Sequence, residues 1–401
     1  MAAQGYNPMQ LPQLEDLGPV KGRRVLVRCD FNVPMAAGVI TDDLRIRLPI
    51  ETLTWLLDQG AEKLTVCSHL GRPKGRPDPW YAIAPVRRRL YELLEAKEAD
   101  IGRVEVLENL RFDPREEQND PSFVAELVEG QDLYVDDAFG AAHRAHASIV
   151  GPPALLPSAA GRVLAREVQV LDRLMHRPER PFVAVLGGAK VSDKLGVIEA
   201  LLAKVDTLLV GGGMCFTFLA AQGRATGGSL LEKGRVETCR SLFAAAEATG
   251  KRIQVPVDVL ALSPGSKFGS GDERTGDILY AETDLPAEWV GVDIGHKTAA
   301  LFAGEIRLAG SVFWNGPMGV FEDPRFAAGT RVVAKAVAST DAFSVVGGGD
   351  TASALRKFGL EGRVDHLSTG GGASLEFIEK GDLPGLKALR EATARPHALL
   401  T

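Results

Sequence analysis

Along most of this chain the apolar residues come in short solid runs rather than in alternation, and each run stops at glycine, a charged residue or an amide before a helical pattern begins. In the first half these runs are "VLVRCDFNVP" (Val25–Pro34), "LTVCSHLGRP" (Leu64–Pro73), "VEVLENLRF" (Val104–Phe112) and "LYVDDAFGAAHRAHAS" (Leu133–Ser148). In the second half they are "FVAVLGGAK", "TLLVGGGMCF", "IQVPVDVLA", "SVFWNGPMGVFE", "AFSVVGGGDTA" and "HLSTGGGAS". Solid apolar runs bounded by turn residues predict strands buried on both faces, and their alternation with helices predicts a parallel sheet covered on both sides. The expected fold class is α/β. The stretch "GSKFGSGDERTG" (Gly265–Gly276) reads as a surface loop.

A length of 401 residues suggests two domains. The boundary is expected between Ala160 and Pro181, in a helix "AREVQVLDRLMH" that ends before "RPERP", which divides the chain into 1–170 and 171–385 with a tail at 386–401. A hydrophobic content of 45% and a charged content of 24% exclude a disordered chain, and a net charge of −6 gives no hint of nucleic acid. The longest nearly uncharged apolar run, Thr207–Ala221, contains three consecutive glycines and is too short for a bilayer, so no membrane partner is expected. The first residues, "MAAQGYNPMQLPQLEDLG", lack the basic and apolar regions of a secretory signal, and the expected location is the cytoplasm. Cys29, Cys67, Cys215 and Cys239 form no CxxC pair and no zinc spacing; three of them sit within or beside predicted strands, where a cysteine is usually a small buried hydrophobe, and no chemistry is assigned to them.

In parallel sheets of this kind ligands bind beyond the carboxyl ends of the strands, and there the two halves carry different residues. The first half supplies Asp30, Asn32, His69, Arg72, Arg111 and Arg144, with Arg45 close behind. Guanidinium forks match carboxylate and phosphate oxygens two at a time, which suits a small, multiply anionic molecule. The second half supplies glycine runs, Lys190, Lys194, Glu322 and Asp350. Glycine lets a backbone approach a polyphosphate closely, and one carboxylate with phosphate oxygens is a usual magnesium arrangement. In "AVLGGAKVSDKLG" a strand is expected to break at Gly187–Gly188 into a helix carrying both lysines, an anion-binding arrangement without the Walker or Gly-x-Gly-x-x-Gly spacing. Taken singly, each residue also has an ordinary reading: Asp30 and Asn32 as a self-bonded turn, His69, His143 and His146 as structural histidines, the arginines as surface ion-pair partners, and Glu322 and Asp350 as helix N-terminal acids. Two anion sites on two domains suggest group transfer between phosphorylated substrates.

The motifs "RVLVRCDFNVP", "SHLGRPKG", "LENLRF", "AFGAAHRAHAS", "LGGAKVSDK", "GGGMCFTF", "WNGPMGVFE", "VVGGGDTA" and "STGGGASLEF" together resemble the phosphoglycerate kinase family, from about Leu14 to Leu386. The resemblance implies two doubly wound, Rossmann-like domains joined by a helical hinge in or beside 165–181, with the C-terminal tail packing back on the first domain. It implies reversible transfer of the acyl phosphate of 1,3-bisphosphoglycerate to ADP, giving 3-phosphoglycerate and MgATP, by a monomer. It assigns substrate contacts to Asp30, Asn32, Arg45, His69, Arg72, Arg111 and Arg144, and nucleotide contacts to Lys194, Gly212, Gly213, Asn315, Glu322, Gly348, Gly349, Asp350 and Thr351. Arg45, Lys190, Gly371 and Gly372 are placed around the transferred group, and Asp350 on the Mg2+. The chain departs from the family at "AAGVITDD", Ser192 and His296, none of them a matched contact. The rival readings are another carboxylate kinase and a non-catalytic binder of nucleotides or phosphometabolites.

Overall fold

A computed structural model describes residues 10–267, 275–282 and 284–393. The chain forms two compact units, one made of the residues up to Gln169 together with those from Gly381 on, the other of Val170–Lys380. The helix Arg162–His176 runs through the point where they divide.

The first unit holds a parallel sheet of β1 (Arg24–Cys29), β2 (Lys63–Cys67), β3 (Val104–Val106), β4 (Leu133–Asp137) and β5 (Ser158–Ala160), in the order β3-β2-β1-β4-β5. Five of the six residues of β1 and all five of β4 are buried, as solid apolar runs between two helical layers require. Val25, Val27, Leu64 and Val66 pack with Leu53, Leu56, Val86 and Leu90 from the helices Ile50–Asp58 and Ala84–Glu95. The helix Pro384–Thr393 belongs to this unit: Gly385 N donates to Ala142 O at 2.9 Å, and Leu386 and Leu389 are fully buried. The rest of the expected tail, 394–401, lies outside the described residues.

The second unit holds a parallel sheet of β6 (Phe182–Leu186), β7 (Thr207–Val210), β8 (Arg252–Gln254), β12 (Ser311–Asn315), β13 (Phe343–Gly347) and β14 (His366–Leu367), in the order β8-β7-β6-β12-β13-β14. Between β8 and β12 the chain makes a separate antiparallel sheet of β9 (Asp258–Leu262), β10 (Ile278–Glu282) and β11 (Val290–Ile294). The sequence pattern read "IQVPVDVLA" as one strand. Pro256 divides it, because a residue without an N–H cannot continue a central ladder, and the two pieces enter different sheets. Of the loop expected at Gly265–Gly276, residues 268–274 lie outside the described residues.

Counted within each sheet, the first unit runs 3-2-1-4-5 and the second 3-2-1-4-5-6, the doubly wound order in which the winding reverses between the first and fourth strands. That reversal opens a crevice at the carboxyl ends of β1 and β4 in one unit and of β6 and β12 in the other. All four cysteines are free and buried, and burial pushes the Cys67 thiol up to about 12 and the Cys239 thiol up to about 11, which agrees with a packing role. Among the described residues no helix is long and apolar enough to cross a membrane.

Candidate active site

Beyond β1, Asp30 and Asn32 form the turn expected of such residues, with Asn32 N donating to Asp30 Oδ1 at 3.1 Å, but their other atoms reach further. Arg45, from the short helix Leu44–Arg47, donates to Asp30 Oδ2 at 2.7 Å. Burial alone would raise the Asp30 carboxyl, but Arg45, His69, Arg28 and the Asn32 N–H outweigh it and hold it below its ordinary value. Asn32 Oδ1 accepts from Gly71 N at 2.9 Å, and Arg111 Nη1 donates to Gly71 O at 3.0 Å, so the ends of β1 and β2 and the turn after β3 converge on one backbone segment. His69 is buried beyond β2, where burial, Arg28, Arg111 and Arg45 push its imidazole well below its ordinary value against the pull of Asp30. His146 is likewise pushed down to about 4 by burial and by Arg111, Arg28, Arg144 and His143. These mutual influences gather Arg28, Arg45, Arg111 and Arg144 around His69 and His146. Arg72 and Arg144 are exposed, and neither guanidinium has a hydrogen bond or ion pair to any described residue.

Such a concentration of cations, two of them, Arg72 and Arg144, without a side-chain partner among the described residues, is a receptor for an anion. The sequence pattern missed two of its members. Arg28 sits in β1 directly after the apolar run Val25–Val27, and Glu116 inside the helix Pro114–Gln118, both fully buried. The available signal was the arginine itself, since a guanidinium seldom occupies a strand core without a dedicated set of partners.

In the second unit, glycines from neighbouring strand ends press together. A Cβ on Gly187 would lie 2.0 Å from Pro317 O, one on Gly212 2.6 Å from Gly188 N, and one on Gly316, whose φ is +96°, 2.5 Å from Gly187 C. Only glycine fits, and the backbone is left bare where a phosphate would approach. The expected helix with two lysines starts later than its pattern suggested: it spans Leu195–Leu202, with Lys194 at its N-cap and Lys190 in the preceding turn. The cause is the tether on Lys194, whose ammonium reaches back to Gly187 O at 2.6 Å, Asn315 O at 3.1 Å and Asn315 Oδ1 at 2.6 Å. Lys190 is exposed, with no ion pair to any described residue. Thr351 Oγ1 accepts from Gly316 N at 2.7 Å, which ties the helix Gly349–Lys357 to the end of β12. Gly348 has φ +94° at the N-cap of that helix, beside Asn315 Nδ2, a buried donor without an acceptor among the described residues.

Gly188, Gly212, Gly213, Glu322 and Asp350 line a cavity of about 250 Å³ whose walls are mostly apolar. Gly371, with φ +54°, and Gly372 follow β14 and open the helix Gly372–Lys380, and neither lines this cavity. Asp350 stands exposed in the first turn of its helix, and among the described residues no group of three or more metal-ligating side chains exists. A lone carboxylate fits a cation that arrives already bound to phosphates, not one held by the protein alone.

The two clusters, arginines in one unit and glycines with lysines in the other, occupy equivalent strand ends. A sequence profile described as phosphoglycerate kinase matches residues 14–381. The chain belongs to the phosphoglycerate kinase family. It is 52% identical over 388 residues to a phosphoglycerate kinase of Rubrobacter xylanophilus, covering 93% of this chain and 96% of that one, and 52% identical over 408 residues to one of Salinispora arenicola, covering 95% and 100%. Among solved structures, the phosphoglycerate kinase of Coxiella burnetii superposes with a TM-score of 0.85 at 37% identity over 95% of this chain and 99% of that one. That of Pyrococcus horikoshii gives 0.79 at 30% identity over 96% and 100%. Membership makes the chain a phosphotransferase of glycolysis that uses a nucleotide substrate.

Proposed function

We propose that the arginine cluster of the first unit binds 3-phosphoglycerate or 1,3-bisphosphoglycerate, that the glycine-rich cavity of the second binds ADP or ATP, and that the acyl phosphoryl group passes directly between them. The observation that carries this reading is the contrast between two equivalent crevices: uncompensated guanidiniums in one, bare backbone with two lysines in the other. The phosphorus–oxygen bond to the glycerate carboxylate breaks as a bond to a β-phosphate oxygen of ADP forms. The carboxylate leaves with the electron pair and no proton moves, so no general base is needed. Arg45 and Lys190 stabilise the charge on the transferring oxygens, together with the backbone around Gly371 and Gly372. Arg72, Arg111 and Arg144 grip the phosphate that stays behind, and Asp30, Asn32 and His69 orient the glycerate. Glu322 accepts from the ribose hydroxyls, while Lys194, Gly212, Gly213, Asn315 and the run from Gly348 to Thr351 hold the phosphates. Asp350 would hold a Mg2+ brought in with the nucleotide, whose chemistry is to neutralise phosphate charge.

Direct transfer requires donor and acceptor oxygens to approach within about 3–3.5 Å, so the halves 1–170 and 171–385 close on one another about the 165–181 segment, and closure excludes the water that would hydrolyse an acyl phosphate. The enzyme acts in the cytoplasm as a monomer.

Coupled ATP formation from 1,3-bisphosphoglycerate and ADP tests the reading. Lys190→Ala should lower turnover on the order of 10³-fold, the scale of a cation on a transferring phosphoryl group, with ADP affinity retained. Near-normal turnover in the folded variant would remove Lys190 from that role.

A further inference from the structure

Arg28 lies inside β1 with no exposed surface, and its donors are taken up in a fixed order. Nε donates to Ser148 Oγ at 2.8 Å, Nη1 to the carbonyl oxygen of Cys29, and Nη2 lies 3.1 Å from Nδ1 of His69. The far side of the network is equally fixed: Ser148 Oγ donates to Glu116 Oε1 at 2.6 Å and Ser148 N to Glu116 Oε2 at 2.9 Å. The guanidinium therefore has one position open to it, clamped between a hydroxyl backed by a buried carboxylate and an imidazole.

A guanidinium has donors only. The ring nitrogen that faces it must present its lone pair, which leaves the proton of a neutral imidazole on the opposite nitrogen. We propose that Arg28 is a positioning residue that holds His69 as the neutral Nε2–H tautomer, so that His69 meets the glycerate as a hydrogen-bond donor and not as a base. The proposal rests on the reading of His69 as a substrate contact.

Other groups around the ring favour the same state. Arg28, Arg111 and Arg45 oppose a second proton on His69, with Asp30 the carboxylate that favours one, and burial tips the balance toward the neutral ring. Nε2 has no hydrogen-bond partner among the described residues and is not among the fully enclosed unpartnered atoms. Its proton is available to a ligand. A donor suits the chemistry, because every oxygen that a glycerate phosphate or carboxylate offers is an acceptor, and a lone pair in that place would repel it.

The test is a two-bond ¹H–¹⁵N correlation spectrum of the full-length enzyme labelled at histidine, with the His69 signals assigned by their loss in His69→Gln. The Nε2–H pattern is expected at neutral pH, and either the Nδ1–H pattern or an imidazolium would overturn the proposal. Arg28→Met alone would strand the buried Glu116 carboxylate, so it is made together with Glu116→Gln, and Glu116→Gln alone is the control. The double variant should lose the fixed tautomer and weaken 3-phosphoglycerate by roughly tenfold, about the size of one charge-assisted hydrogen bond, while the control keeps the wild-type pattern. An unchanged tautomer in the double variant would show that Arg28 does not set it. If the double variant fails to fold, Arg28→Lys takes its place, keeping the buried charge while removing the guanidinium fork from Nδ1, and an unchanged tautomer there would equally overturn the role of Arg28. Unaltered 3-phosphoglycerate affinity in His69→Gln would instead remove the substrate-contact reading and leave the tautomer result standing.

Discussion

Lys194 is an ammonium whose three hydrogen bonds all go to neutral oxygens, and burial pushes it down to about 8 although Asp350 and Asp193 pull the other way. Nucleotide phosphates would supply the missing negative charge and restore the ordinary value near 10.4. The sign follows directly: above about pH 8 the free enzyme has released a proton that the nucleotide complex retains, so ADP binding should take up protons between about pH 8 and 10. Calorimetric titrations at about pH 8.5 in two buffers of different ionisation enthalpy should show uptake of roughly half a proton or more. Enthalpies independent of buffer would mean that Lys194 does not meet the phosphates. The candidacy of Lys194 was legible in the sequence because it follows Gly187–Gly188 within a few residues. Its tether to Asn315, 121 positions away, was not, since no local pattern carries a contact made through the sheet. Arg28 was hidden for the opposite reason, its neighbours on both sides being those of an ordinary buried strand.

Strands were the most legible elements, because solid apolar runs ending in glycine leave few other readings. The antiparallel sheet β9–β11 escaped because its ladders pair residues 16 to 35 positions apart across long connections rather than a two-residue hairpin turn, and the helix after β6 was placed too early because the lysines suit a helix face as well as a turn. Glycines differ in what surrounds them, and the structure separates two kinds. Gly187 cannot take a methyl group against Pro317 O, whereas Gly304, inside the helix His296–Arg307, has no foreign atom within 4 Å. Gly187→Ala should abolish the thermal shift produced by ADP and preserve that produced by 3-phosphoglycerate. Gly304→Ala should stabilise the enzyme by about 0.5–1 kcal/mol in urea titrations. At the end of β4, Asp136 Oδ1 accepts from Ala138 N while Oδ2 is buried without a donor among the described residues. Burial pushes its carboxyl up to about 7 even though Arg28 and that N–H favour the charged form. The folded chain therefore keeps a proton that the unfolded chain loses from about pH 4 upward, and the resulting destabilisation grows to about pH 7 and is constant above it. Asp136→Asn should be more stabilising at pH 8 than at pH 5, by on the order of 1–3 kcal/mol in urea titrations, and an equal effect at both would show that Asp136 is ionised in the fold throughout.

At the scale of the whole molecule, one winding order occurs twice in one chain and carries two chemistries. Because sheet order places the crevice and the loop residues fill it, the same scaffold can present guanidiniums in one unit and bare backbone in the other without change to its core. The central claim is that each crevice has its own ligand, and crossed calorimetric titrations test it most directly. Arg144 and Glu322 serve as the probes, since both side chains are exposed and their loss leaves the cores intact. Arg144→Ala should weaken 3-phosphoglycerate about tenfold or more and leave ADP within about twofold of wild type, and Glu322→Gln should do the reverse. A folded variant that loses both ligands equally, or loses the one assigned to the other unit, would contradict the account.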